Sequence, residues 1–237
     1  MSQKKNLLGL SQDSLEKFFQ KINEPKFRAK QLTKWVHQKG ILDFDQMTDF
    51  NKSLREKLKE IASLKIPKVY KSFESNDGTI KYLIQLESGS MIEMVEIPEK
   101  KRRTLCISSQ AGWALQCTFC ATGAQGFDQN LSSDEIIGQL WISNFYKNSK
   151  KTITNVVFMG MGEPLLNFEP VIEAAKIMKD QFAYGLSRKR ITISTSGIVP
   201  NIDQLSKNID VSLAISLHAA DDKLRDEIVP INKKYPL

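Results

Sequence analysis

The chain has 237 residues, of which 41% are hydrophobic and 26% are charged, and its formal net charge is +7. This is an ordinary globular composition, sufficient for one large domain or for a medium domain with a small one. No apolar run approaches the roughly 20 residues that span a bilayer, and three cysteines do not make a secreted disulfide framework. The positive charge favours a polyanionic partner such as nucleic acid, although solubility alone explains it equally well. We therefore expect a cytoplasmic protein without a membrane segment.

Residues 1–66 are predicted to form an N-terminal helical domain. Ser11 and Asn51 can cap helices, Gly40 can end one, and apolar residues recur at helical spacing after both caps. This spacing favours a small bundle core. Basic residues on the outer faces are candidates for RNA contact, but a solvated helix face explains them equally well. They are Arg28, Lys30, Lys34, Lys52, Arg55, Lys57 and Lys59.

Residues 67–98 are predicted to form a small antiparallel β meander that connects the helical domain to the rest of the chain. Strands are predicted at Val69–Phe73, Ile80–Leu86 and Ser90–Ile97, because turn residues separate these β-branched and aromatic runs. Glu93 and Glu96 fall in the last strand. The two-residue period of a regular strand places them on opposite faces.

Residues 99–237 alternate strands and helices, which predicts a parallel α/β sheet. Ser132 begins a capping-box pattern, and Asn167 is predicted to cap a later helix. Only about four βα units are present, so the sheet is expected to be open, completed by another chain or cut short. The strand candidates are Thr104–Ser108, Thr154–Met159, Arg190–Thr195 and Val211–Leu217.

Polar and glycine-rich segments follow each of these strands. The cysteine segment follows the first strand and Gly160–Pro164 follows the second, while the third and fourth run into Ser194–Gly197 and Ser216–His218. Because the carboxyl ends of parallel strands meet at one edge of a sheet, these segments are predicted to form one functional site.

The segment after the first strand contains Trp113, Cys117 and Cys120 in the pattern W-x-x-x-C-x-x-C. A C-x-x-C pair alone fits a zinc site, a redox pair or an iron–sulfur site. Zinc would need two more ligands, and the remaining candidates are His37, His218 and Cys106. The spacing itself does not decide between these chemistries.

The chain resembles, nearly end to end, the radical S-adenosylmethionine (SAM) family that methylates carbon 2 of adenine in 23S ribosomal RNA and in some tRNAs. A sibling family that methylates carbon 8 of the same adenine is close to it. The similar segments are Phe27-Arg28-Ala29-Lys30-Gln31, Asp43-Phe44-Asp45-x-Met47-Thr48, Asp77-Gly78-Thr79-x-Lys81-Tyr82, Cys106-x-Ser108-Ser109-Gln110, Phe158–Asn167, Ser194–Gly197 and Arg225–Lys234.

The resemblance implies an α/β fold, a partial radical SAM (βα) barrel, with the helical domain and the β connector placed before it. It implies a [4Fe–4S] cluster on three thiolates of C-x-x-x-C-x-x-C, with one iron left open for SAM. Cys117 and Cys120 match two of these ligands. The implied partners are 23S rRNA, tRNA and an electron donor such as a flavodoxin-type protein.

The resemblance also assigns the remaining site residues. Gly162 and Glu163 would hold the methionine end of SAM, with the Glu163 carboxylate paired to the ammonium. Ser194 would hold part of the same ligand, and Ser216, Leu217 and His218 would hold its ribose and adenine.

Two catalytic residues are implied in the same way. Glu93 matches the family's proton acceptor. Cys106 matches the cysteine that resolves a protein–RNA adduct by forming a disulfide with a methyl-carrying cysteine. Without the resemblance, a surface carboxylate and a small buried strand residue would be the simpler interpretations.

The chain departs from the family pattern at two places. Trp113 stands where the first cluster cysteine is expected, and tryptophan offers no thiolate. The methyl-carrying cysteine is expected in a C-terminal segment that this sequence does not contain, so the chain is interpreted as a fragment or a degenerate copy. Two further hypotheses are a non-catalytic RNA-binding remnant, using the basic run Lys100–Arg103, and a radical SAM enzyme with another substrate.

Overall fold

The computed structural model describes residues 4–115, 126–146 and 152–237. Within these residues, seven strands form one mixed sheet and two short pairs lie beside it. The strands are β1 (Lys5–Asn6), β2 (Ala62–Ser63), β3 (Lys68–Glu74), β4 (Ile80–Gln85), β5 (Met91–Pro98), β6 (Arg103–Cys106), β7 (Gln110–Gly112), β8 (Phe127–Asn130), β9 (Asn155–Phe158), β10 (Ile191–Thr195) and β11 (Ser212–Ile215).

Seven α-helices are found in the described part of the chain. They are α1 (Gln12–Lys21), α2 (Phe27–Thr33), α3 (Lys52–Ile61), α4 (Ser133–Phe145), α5 (Phe168–Lys179), α6 (Val199–Asn208) and α7 (Asp222–Ile228). A π-helical turn continues α2 over Lys34–Gln38. Short 3-10 turns lie at Phe44–Gln46, Pro164–Asn167, Arg188–Arg190 and Pro230–Lys233. No helix in the described ranges has both the length and the apolar character needed to cross a bilayer.

The sheet order is β11-β10-β9-β6-β5-β4-β3. The first four strands in this order are mutually parallel, and β3, β4 and β5 are antiparallel. The predicted meander therefore continues the core sheet, through the pairing of β5 with β6, and does not form a layer of its own. The parallel arrangement brings the carboxyl ends of β6, β9, β10 and β11 to one edge, as the strand pattern predicts.

The helical layer buries one face of the parallel strands. Ile191 and Ile193 of β10 point into it and are fully buried, while the alternate residues Thr192 and Ser194 lie on the other face and are partly exposed. We call this second face the inner face of the sheet. The strict alternation means that the inner face is where a ligand can reach polar side chains.

The N-terminal helical region packs directly on the core. Glu173 of α5 accepts hydrogen bonds from the Ser11 backbone and the Ser14 hydroxyl at the start of α1. His37 lies 3.1 Å from the Tyr184 hydroxyl, and burial lowers the pKa of this imidazole to about 3. This neutral, buried histidine connects the N-terminal helical region to the core through its contact with Tyr184. The predicted domain boundaries themselves stay a prediction.

The predicted helix caps have mixed outcomes. The Asn51 side chain accepts the Leu54 N–H, and Ser132 forms the full capping box, so both predictions are confirmed. Ser11 occupies the N-cap position without a side-chain cap bond. Asn167 likewise occupies the N-cap position of α5 without a side-chain cap bond, because its amide donates to backbone carbonyls of the site described below. Phe27, the first residue of α2, is 56% exposed and lies outside the core.

Candidate functional site

A cavity of about 310 Å³ opens at the shared carboxyl edge of the parallel strands. It is lined by the residues after β9, by the end of β10 and by β11, as the sequence predicts for this edge. Trp113 contributes from the segment that follows β7. The lining residues used below are Trp113, Gly162, Glu163, Ser194 and Ser216.

Gly162 allows the loop after β9 to lie against Gln110 of β7. Its φ is +95°, a conformation that favours glycine, and a Cβ placed here would lie 2.4 Å from the Cβ of Gln110. The Gln110 side-chain carbonyl accepts the Glu163 N–H at 2.8 Å, which fixes the same loop from the other side. The backbone here is therefore held in position before any ligand binds.

The Glu163 carboxylate is bonded to backbone N–H groups of two neighbouring loops. The side chain is fully buried, and its two oxygens accept backbone N–H groups from Ser196 at 2.8 Å and Leu165 at 3.2 Å. Burial raises the pKa of this carboxyl, and the Ser196 hydrogen bond opposes the rise. The carboxylate joins the loops after β9 and β10, because they offer it buried donors that would otherwise lack a partner. The predicted pairing of this carboxylate with a ligand ammonium stays a prediction.

Ser194 and Ser216 bring β10 and β11 together at the cavity. Their hydroxyl oxygens are 3.3 Å apart, and both residues line the cavity. Leu217 and His218 follow on the same loop and are exposed, with His218 in a left-handed conformation at φ 62°. The two hydroxyls form a polar pair that suits a ribose diol or another hydroxylated ligand.

Arg225 supports these strand ends, and no pattern in the sequence singled it out by itself. Its guanidinium is buried and donates to the carbonyls of Ser196 at 2.7 Å, Leu217 at 3.0 Å and Ser216 at 3.4 Å. It also donates to the side chain of Asn232. The similarity of Arg225–Lys234 to the family was the available signal, but only the fold shows that this arginine reaches the strand ends of the site.

A second buried polar network supports the loop that precedes the cluster pattern. The Ser108 hydroxyl donates to the Glu93 carbonyl at 2.6 Å and accepts the Met161 N–H at 2.9 Å. Gln139 of α4 pairs with the Ser108 backbone through two bonds of 2.9 Å. Asn167 donates to the carbonyls of Ser109 at 2.8 Å and Leu131 at 2.7 Å. These residues position the site without touching the cavity.

The predicted catalytic residues Glu93 and Cys106 lie on the inner face, and Ser194 shares that face. Cys106 is opposite Val95, so Glu93 is two residues away along the neighbouring strand. Burial raises the pKa of the Cys106 thiol, which is the one cysteine in the described ranges and is not in a disulfide. Glu93 is half-exposed and pairs with Lys81 at 2.6 Å.

Of the three cluster-ligand positions, the structure describes only the first, and Trp113 occupies it. Cys117 and Cys120 lie outside the described residues. Trp113 lines the cavity, and its indole N–H is shielded from solvent and has no hydrogen-bond partner among the described residues. An indole has no lone pair for iron, and an unpartnered buried N–H is costly. The described residues contain no group of three or more His, Cys, Asp or Glu side chains that could hold a metal ion.

Comparisons with known proteins agree with this geometry. Residues 109–235 match the family model of the radical SAM superfamily, and residues 5–64 match that of the ribosomal RNA large subunit methyltransferase N-terminal domain. The crystal structure of a radical SAM methyltransferase from Sphaerobacter thermophilus superposes with a TM-score of 0.89 at 36% identity, over 98% of this chain and 69% of that one.

Two curated relatives carry the name dual-specificity RNA methyltransferase RlmN. The one from Pseudomonas fluorescens is 56% identical over 99% of this chain and 63% of its own length. The one from Marinobacter nauticus is 51% identical over 100% of this chain and 65% of its own length. The chain thus spans less than two thirds of the length of these relatives.

The sheet edge, the cavity and the superfamily match together define a radical SAM protein. The N-terminal match and the relatives narrow this class. The chain belongs to the RlmN family of radical SAM RNA methyltransferases.

Proposed function

We propose that the cavity at the strand ends binds SAM. We propose also that the ancestral reaction of this chain is the methylation of carbon 2 of adenine in 23S rRNA and in some tRNAs. The observation that carries the proposal is the convergence of the Glu163 loop, Ser194 and Ser216 on one cavity. The names of the relatives support an RNA substrate, because each is called a dual-specificity RNA methyltransferase.

Different residues of the chain would bind different parts of SAM. The backbone of Gly162 and Glu163 would meet the methionine end, since the Glu163 carboxylate is already bonded to backbone N–H groups. Ser194 and Ser216 would hold the ribose, and Leu217 and His218 the adenine. When bound, SAM supplies the methyl group and the adenosyl part for radical chemistry.

The two proposed catalytic groups share the inner face of the sheet, which supports a common role for them. Glu93 is the proton acceptor for the substrate adenine, and Cys106 is the thiol that resolves the RNA adduct. The disulfide of that step needs a cysteine other than Cys106, Cys117 and Cys120, which are the three in this sequence. A flavodoxin-type electron donor and a cytoplasmic location belong to the same proposal.

Trp113 affects the proposed methylation reaction of this chain more than its binding of SAM. Because its indole replaces a thiolate, the [4Fe–4S] cluster would lack one of its three expected ligands. We infer that the chain with Trp113 binds SAM and RNA without methylating RNA. This observation favours the non-catalytic RNA-binding hypothesis for the chain as it stands. Carbon-8 methylation is the alternative for the ancestral reaction.

Binding of S-adenosylhomocysteine tests the site without requiring a cluster. We expect saturable binding in calorimetric titrations, and about tenfold weaker binding for Ser216→Ala, because one hydrogen bond to a ligand hydroxyl is worth about 1.4 kcal/mol. Ser206→Ala, an exposed serine on α6, is the matched control and should leave the affinity unchanged. Absence of binding, or equal affinity in both variants, would contradict the assignment.

A further inference from the structure

The antiparallel extension of the sheet presents an open patch on the inner face. We define the meander platform as Lys71, Phe73, Lys81 and Leu83 of β3 and β4. The register joins it to the candidate catalytic residues: Phe73 is opposite Lys81, Lys81 is opposite Val95, and Val95 is opposite Cys106. Side chains that are in register across neighbouring strands share one face, so the platform and the Cys106 thiol lie on the same side of the sheet.

The other two platform residues, Lys71 and Leu83, lie on the same face in the neighbouring set of paired residues. Lys71 is opposite Leu83, and Leu83 is opposite Glu93. The Lys71 ammonium lies 4.7 Å from the centre of the Phe73 ring. Lys81 pairs with Glu93 at 2.6 Å. The platform is therefore continuous with the proposed proton acceptor.

On β4 and β5 the exposed side chains lie on the inner face, whereas the edge strand β3 is exposed on both faces. Phe73 is 48% exposed, whereas Ile84 and Ile92 on the opposite face of β4 and β5 are fully buried. On that opposite face, Glu96 is buried and bonded to Arg103 and Ser143. The half-exposed Phe73 ring, with the Lys71 ammonium against it, is therefore left uncovered on the same face as the proposed catalytic residues.

We propose that the meander platform binds a single-stranded segment of the substrate RNA beside the target adenine, with a base stacked on Phe73 and phosphates at Lys71 and Lys81. Aromatic rings interleaved with basic residues are the usual means of holding unpaired nucleotides. Because adjacent strands are roughly 4.8 Å apart, the three strand steps from Phe73 to Cys106 cover roughly 14 Å. The stacked base is therefore a neighbour of the target and not the target itself. This inference rests on the proposed RNA substrate.

Fluorescence anisotropy with a labelled, adenine-containing, single-stranded RNA oligonucleotide tests the platform. Phe73→Ala should weaken binding about 5- to 150-fold, which corresponds to the loss of one stacked base. Phe73→Trp should retain the affinity. Lys71→Gln should lower the slope of log affinity against log salt by about 0.7, the value for one single-strand phosphate.

Tyr70→Ala is the matched control. Tyr70 is the unpaired residue of the β3 bulge and is 62% exposed, so it is a surface aromatic of the same strand outside the register of the platform. It should leave the RNA affinity unchanged, and thermal melting should show that all variants fold. If the unaltered chain binds RNA and Phe73→Ala binds equally well, the platform is wrong while the proposed substrate stands; a platform for a protein partner would give this result. If the unaltered chain does not bind RNA, both are overturned.

Discussion

Replacing Trp113 by cysteine is expected to raise the iron and sulfide content of the anaerobically reconstituted chain to about four of each per molecule, the content of a complete [4Fe–4S] cluster. The unaltered chain should fall well below this content. Soft thiolates are the ligands that iron–sulfur clusters require, and the change restores the third cysteine of the pattern with Cys117 and Cys120. The measurement is colorimetric iron and sulfide analysis with the ultraviolet–visible spectrum.

Leu115→Cys is the matched control for this experiment. It adds a cysteine to the same segment at the wrong spacing, so a general effect of an additional thiol would appear in it as well. Equal iron and sulfide in the unaltered chain and in Trp113→Cys would show that position 113 does not limit the cluster.

Loss of Arg225 is expected to be the most damaging change outside the cluster segment. Arg225→Met removes the guanidinium that donates to three strand-end carbonyls and leaves Asn232 without its cationic partner. Breaking a buried charged network of this kind costs about 3–5 kcal/mol. For a chain of this size we expect Tm to fall by about 6–20 °C, with weaker binding of S-adenosylhomocysteine, because the Ser216 and Leu217 carbonyls lose their support.

Lys223→Met provides the control on the same helix, since Lys223 is exposed. Arg225→Lys keeps the charge but presents a single ammonium in place of the fork, so it should recover only part of the stability. Amide hydrogen exchange should rise in residues 196–198 and 216–219 before it rises in β9. A Tm for Arg225→Met equal to that of Lys223→Met would refute the role of the network.

Much of the fold follows from local patterns in the sequence. The four parallel strands carry apolar residues that are buried under the helices. Residues such as Ile191 and Ile193 therefore predict these strands from the local sequence alone. The caps at Asn51 and Ser132 depend on neighbours three residues away, so they too can be predicted. The register between the meander and β6 cannot be predicted in this way, because it depends on contacts between strands that are distant in the sequence.

The candidate site shows the same division. Gly162, Ser194 and Ser216 follow strands that belong to one edge, so their convergence could be predicted from topology. The roles of Glu163 and Asn167 could not, because each side chain finds its partners on segments far along the chain: Ser196 for the first, Ser109 and Leu131 for the second. Polar residues that hold a site from behind resemble ordinary ligands or caps until the packing is known.

The central claim is that the SAM-binding edge of the fold persists while Trp113 disrupts the cluster. Calorimetric titration of SAM into the unaltered chain and into reconstituted Trp113→Cys, side by side, tests it most directly. We predict that both bind SAM at a single site and that the reconstituted variant binds more tightly, because an open iron adds a ligand contact. No binding by the unaltered chain, with normal binding by the variant, would contradict the claim, since the pocket would then depend on the cluster.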